Sequence, residues 1–212
     1  MIPFMIVFVS SVLIPLITGL LLFRRLSADL RLLLLLFLIV ATVEGYTFYL
    51  VMQSQNPYWV HHVYAPIEYA LITTVLSSWQ QREWVKKLFR LSIPPFVIFC
   101  LWDILGGGNL KDLNALTASI AYTLYVGMSA YTLVNLDYEN IRSTLGDYRF
   151  WIGTGLLVYS AGGLAYFSFH DTIVANYLIQ IWIIHGVLNI VAYLLYSVGF
   201  VYQARSWNRA GA

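Results

Sequence analysis

Apolar residues run along this chain in stretches of about twenty, separated by short polar turns, and the pattern recurs from end to end. Crossing the hydrocarbon core of a bilayer takes about 20 apolar residues. Seven stretches meet that length: Ile2 to Phe23, Leu30 to Gln53, Tyr58 to Trp79, Lys87 to Leu105, Asp112 to Leu136, Phe150 to Phe169, and Ala175 to Tyr202. The connections are short, and no extramembrane domain of about 50 residues can be cut out anywhere, so residues 1–212 read as a single membrane domain. Backbone polar groups in lipid must be satisfied within their own segment, which makes these stretches helices; strands of a barrel would be about half as long. The expected fold is an all-α integral membrane protein with seven transmembrane helices.

The distribution of charge gives the bundle a direction. Counted over alternate connections, eleven of the twelve Lys and Arg residues fall on one face, and only Lys111 lies on the other. The positive-inside rule then places the N-terminus outside and the C-terminus in the cytoplasm of a bacterial inner membrane. The first stretch has no basic residues before it and no small-residue cleavage pattern, while Arg24 and Arg25 follow it, so it reads as a retained helix. Six of the seven tryptophans sit near span ends, as an aromatic belt requires, and Trp182 alone lies well inside. Gly106-Gly107-Gly108-Asn109 reads as an outward turn after the fourth span. It divides the chain into three helices, a linker helix and three helices, an arrangement that fits a 3+1+3 parallel repeat.

Composition narrows the function. Only 10% of residues are charged and 60% are hydrophobic, against roughly 25% charged in soluble domains, so a soluble globule is excluded. A net charge of +2 without any basic run excludes nucleic acid as a partner. Cys100 is the single cysteine, which leaves no internal disulfide and no thiolate cluster. The histidines are not placed in pairs at two depths for haem ligation. Lys86, Lys87 and Lys111 lie in loops or at a span end, unsuited to a Schiff base. No cofactor is expected.

Ionisable groups near mid-membrane cost about 2.5 to 3.5 kcal/mol on insertion scales and so face the bundle interior. Glu44, Glu68 and His185 each lie about ten residues from the outer end of their spans, at one depth given ~1.5 Å of rise per residue. If their helices adjoin, they form a polar pocket, with His185 as hydrogen-bond partner of Glu68. On the third span His61, Tyr64 and Glu68 share one stripe, and His62, Pro66 and Tyr69 the adjacent one. On the seventh, His185, Asn189, Tyr193 and Tyr196 form a polar-aromatic stripe. Asn114, Thr117, Tyr122, Tyr125 and Ser129 extend the polar set on the fifth, and Asp103 adds a carboxylate at the mouth. Pro66 removes a hydrogen bond and frees the His62 carbonyl beside Glu68. Gly153, Gly155, Gly162 and Gly163 make the sixth span a close-packing helix.

The phrases His62-Val63-Tyr64-Ala65-Pro66-Ile67-Glu68, Phe150-Trp151-Ile152-Gly153 and Ile184-His185-Gly186-Val187-Leu188-Asn189 resemble those of seven-span proteins of Bacteroidetes-type bacteria, which are similar to the membrane parts of bacterial sensors. That resemblance implies a receptor-like module, its outward pocket built from Glu44, His62, Tyr64, Glu68, His185 and Asn189 and binding a small molecule or membrane lipid. No output domain follows Tyr202, so a homo-oligomer or a separate signalling partner would carry the signal. Helix count, length and orientation also resemble SWEET-type carriers, although the Pro-Gln pair of that group is absent; a small, proton-coupled facilitator is the alternative. The third reading is a metal-dependent intramembrane hydrolase, because His62 or His61, Glu68 and His185 supply the ligand types of catalytic zinc. The spacing matches no familiar zinc pattern.

Overall fold

Prolines decide where two of the long apolar stretches bend. Pro15 lacks an N–H and its ring crowds the carbonyl of Ser11, four residues back. In the computed structural model, helix α1 (Ile2–Ser11) accordingly stops there and α2 (Leu13–Leu21) follows after Val12. Pro94 and Pro95 act in the same way by occupying the first turn of a new helix, where a missing N–H costs nothing. They separate α5 (Glu83–Leu91) from α6 (Ile93–Leu105). At that junction the Ser92 hydroxyl donates to the Phe89 carbonyl (2.6 Å) and meets the Tyr69 hydroxyl (2.7 Å). Pro66, by contrast, leaves α4 (Tyr58–Ser78) unbroken. The remaining helices are α3 (Ala28–Met52), α7 (Ala115–Val134), the short α8 (Ile141–Gly146), α9 (Tyr148–Phe169) and α10 (Ala175–Ala210), with a 3-10 turn at Phe23–Arg25.

The structure describes residues 2–105, 110, 112–136, 141–169 and 175–210, and no strand occurs among them. The Gly106–Asn109 turn and Lys111 lie outside the described residues. Among the described residues, five stretches are long and apolar enough to cross a membrane: Phe4–Leu21, Ala28–Met52, Glu83–Leu105, Tyr148–Ser168 and Gln180–Ser206. The fourth stretch thus begins earlier than its sequence boundary at Lys87, and α10 runs past Tyr202. Helices α4 and α7, at 21 and 20 residues, match the spans in length but carry more polar side chains. Their position accounts for it. His62, Glu68, Thr73 and Ser77 of α4, and Thr117, Ser129 and Thr132 of α7, are buried against neighbouring helices.

The helices close a ring in which α2 packs on α3, α3 on α4, α4 on α7, α7 on α9, α9 on α10, and α10 back on α2. Helices α5 and α6 lie outside it, against α4. Small residues let α9 sit tightly between its two neighbours. A Cβ on Gly155 would stand 3.1 Å from the Ala192 carbonyl oxygen of α10, and one on Gly163 would stand 2.7 Å from the Tyr122 ring of α7.

One end of the ring is tied by polar bonds. Asp29 Oδ2 accepts from Trp79 Nε1 (2.6 Å) and from the Tyr148 hydroxyl (3.1 Å), joining the start of α3, the end of α4 and the start of α9. Gln80 Nε2 adds the end of α7 by donating to Thr132 Oγ1 (2.8 Å). Arg31 and Arg149 belong to these same helix ends, and Arg82, which precedes α5, lines one void with Trp79, Gln80 and Arg149, so all three share the end that Asp29 ties.

Candidate functional site

At the opposite end the ring encloses a cavity of about 270 Å³. Residues from α1, α3, α4, α7, α9 and α10 line it, including Glu44, Tyr64, Glu68, His185 and Asn189. The stripe periodicity of α4 explains the contribution of that helix: Tyr58, His61, Tyr64 and Glu68 follow at steps of three or four and turn inward, with Ala65 beside Tyr64.

Glu68 forms the floor. It is 7% exposed, and its Oε1 accepts from the Tyr159 hydroxyl at 2.8 Å, which in turn meets the Tyr122 hydroxyl at 3.1 Å. The expected Glu68–His185 bond does not form. His185 instead bonds its own-helix neighbour, Nε2 lying 3.3 Å from Asn189 Nδ2, and stacks on the Tyr166 ring with centroids 5.2 Å apart. A tyrosine on α9 is better placed than a histidine on α10 because Gly163 and its neighbours bring α9 against α7. Tyr159 was not apparent from the sequence. Its i+7 spacing to Tyr166, which also lines the cavity, is the signal for an inward tyrosine stripe on α9.

The structure places His62 elsewhere. It is 5% exposed and faces α6 and the loop before α7, with Nε2 3.3 Å from the Asp112 carbonyl and Nδ1 4.0 Å from Asp103 Oδ2. Asp103 Oδ2 also accepts from the Thr117 hydroxyl at 3.0 Å, so this carboxylate belongs to the α4–α6–α7 contact and not to the cavity mouth. His61 lines the cavity, whereas the adjacent His62, about 100° further round the helix, is turned to α6. Of the α7 set, Asn114 and Tyr122 line the cavity, Tyr125 stacks on Tyr69 (5.6 Å), and the Ser129 hydroxyl donates to the Tyr125 carbonyl. Trp182 lines the cavity and meets Phe8 edge-on at 5.0 Å.

Several polar groups here have spare bonding capacity. Among the described residues, Glu44 makes no hydrogen bond, and the buried Asn114 Oδ1, Thr47 Oγ1 and Asn189 Oδ1 have no partner. Asn114 is the residue before the first turn of α7, a position where Asn ordinarily caps the helix. It makes no such bond, whereas Asn56 Oδ1 does accept from the Tyr58 N–H at the start of α4. No Lys or Arg is among the described lining residues. Among the described residues, no group of three His, Cys, Asp or Glu is arranged to hold a metal ion.

Two further voids continue from the floor. A crevice of about 30 Å³ shares Val40, Glu68, Tyr159 and Tyr193 with the cavity and runs between apolar side chains to Trp79. Trp79 also lines a polar void of about 310 Å³ at the Asp29 end, with Gln80, Arg82 and Arg149. No family model, no curated protein and no solved structure matches the chain.

Proposed function

We propose that this chain is a seven-helix protein of a bacterial inner membrane whose outward-facing polar cavity binds a small molecule, as a receptor-like module. Helices α4 and α7 complete the count of seven, with α1–α2 and α5–α6 each counted once. The observation that carries the reading is the cavity itself, where Glu44 makes no hydrogen bond and Asn114 Oδ1 has no partner among the described residues. Buried polar groups are normally satisfied, and a ligand would satisfy these. The basic end of the ring supports a cytoplasmic C-terminus. The ring contacts support a 3+1+3 repeat: α4 meets α7 as α10 meets α2, and α5–α6 stands outside both triads.

The alignment of the three voids favours a second reading. A facilitator needs a path to both faces, and here only the narrow, apolar crevice between Glu68 and Trp79 separates the two larger voids. Labelling tests orientation and opening together. In a chain carrying Cys100→Ser, a cysteine at Thr47 should react with a membrane-impermeant maleimide from outside the cell, and one at Asn135 should not. The reverse pattern would overturn the outward cavity. Uptake of a bound solute into proteoliposomes would then favour the facilitator, and saturable binding without flux the receptor.

A further inference from the structure

Resting on that pocket reading, we infer that the cavity recognises a small organic ammonium compound, held by Glu44 against an aromatic wall. The unfilled acceptors of the described lining, Glu44, Asn114 Oδ1 and Asn189 Oδ1, point to a donor, and the unpaired Thr47 and Tyr64 hydroxyls can serve in either role. Among the described residues, Glu44 offers a carboxylate with no hydrogen bond, and Asn114, 6% exposed and lining the same cavity, leaves its Oδ1 unpaired. A group carrying several N–H donors and a positive charge supplies what these acceptors lack. The described lining contributes no Lys or Arg to compete for the carboxylates, and Glu68 is already engaged by Tyr159. His185 is held by Asn189 and Tyr166.

The walls fit the same ligand. Phe8, Tyr58, Tyr166 and Trp182 stand around the upper cavity, and aromatic faces attract cations, most strongly where water is excluded. An anion would meet two carboxylates, and a purely apolar ligand would leave Glu44 buried and unpaired at a cost. The cavity of about 270 Å³ holds roughly nine waters at ~30 Å³ each, the size of a phenethylamine rather than of a lipid.

The test uses the whole chain in lipid nanodiscs with three probes of equal size and different charge: phenethylamine, 2-phenylethanol and phenylacetate. Binding is read from tryptophan fluorescence and from the thermal unfolding midpoint, and Trp182→Phe assigns the fluorescence signal to the cavity. We expect the amine to bind at least tenfold more tightly than the alcohol and the acid not to bind. Glu44→Gln should weaken the amine at least tenfold and leave the alcohol unchanged, with an unliganded midpoint like that of the parent. If the alcohol binds as well as the amine, or the amine is indifferent to Glu44→Gln, the ammonium inference is wrong and the pocket stands. If none of the three binds, the pocket reading falls with it. Should Glu44→Gln not fold, Asn114→Ala takes its place, and the charge series on the parent chain still decides.

Discussion

The bond from Tyr159 to Glu68 is the strongest claim the site makes, and Tyr159→Phe isolates it. The substitution removes one oxygen and keeps the ring, so the edge-on contact with Tyr122 at 5.5 Å is retained. Lost are the 2.8 Å bond to Glu68 Oε1 and the 3.1 Å contact with the Tyr122 hydroxyl. Hydrogen bonds between membrane helices average about 0.6 kcal/mol and reach about 1.7. A carboxyl acceptor in a nearly buried site puts this one near the top of that range, so about 1.5 kcal/mol is expected. At roughly 2–4 °C per kcal/mol for a chain of this size, the unfolding midpoint in nanodiscs should fall by about 3–6 °C. Tyr122→Phe breaks only the longer, neutral contact and should cost about 0.6 kcal/mol. A double-mutant cycle with Glu68→Leu, which carries no acceptor, removes indirect effects: coupling of about 1 kcal/mol is expected, and additivity within ~0.5 kcal/mol would refute the bond.

Three other expectations can be checked by the same unfolding assay. Gly155→Leu pushes a side chain against the Ala192 carbonyl and the Tyr196 ring, and overpacking of this kind costs about 1–3 kcal/mol; Gly127→Leu, where nothing lies within 4 Å, should be neutral, and equal effects would contradict the α9–α10 contact. Asp29→Ala removes the acceptor shared by Trp79 and Tyr148 and leaves two donors unpaired, for a loss of about 1–3 kcal/mol. Asp29→Asn keeps one acceptor oxygen and should lose less; matching losses would mean that the bonds do not hold that end together. Asn114→Ala should cost under ~0.5 kcal/mol, less than the ~1 kcal/mol of an ordinary N-cap, because no cap bond is made there; a full cap penalty would show that the side chain serves α7 and not the cavity.

Spacing along one helix proved easier to read than pairing between helices. Glu44, Glu68 and His185 lie at matching distances from the ends of their helices and line one cavity, because residues equally far along packed helices lie at similar heights. Which atoms meet at that height depends on how closely the backbones approach, and that is set by Gly155 and Gly163 rather than by the polar residues. Tyr159 reaches Glu68 only because α9 is drawn in. The helix breaks at Pro15 and Pro94 follow from proline chemistry, yet each lies within a single apolar run, where hydropathy alone shows no interruption.

His61 and His62 make the same point at the level of one residue. Both are polar, adjacent and near the start of α4, and that helix alone gives no reason to send one rather than the other into the cavity. Asp103 of α6 and the Asp112 carbonyl ahead of α7 take up His62, and helix geometry then turns His61 inward with Tyr64 and Glu68. The polar content of α4 and α7 has a related origin. Both helices meet α6 outside the ring as well as their ring neighbours and the cavity, so protein groups surround more of their circumference and polar residues such as Glu68 and Thr117 find partners there. Low hydropathy in α4 and α7 is therefore what their place beside a polar cavity calls for, and the two helices that stand out least by apolarity supply much of the chemistry of the site.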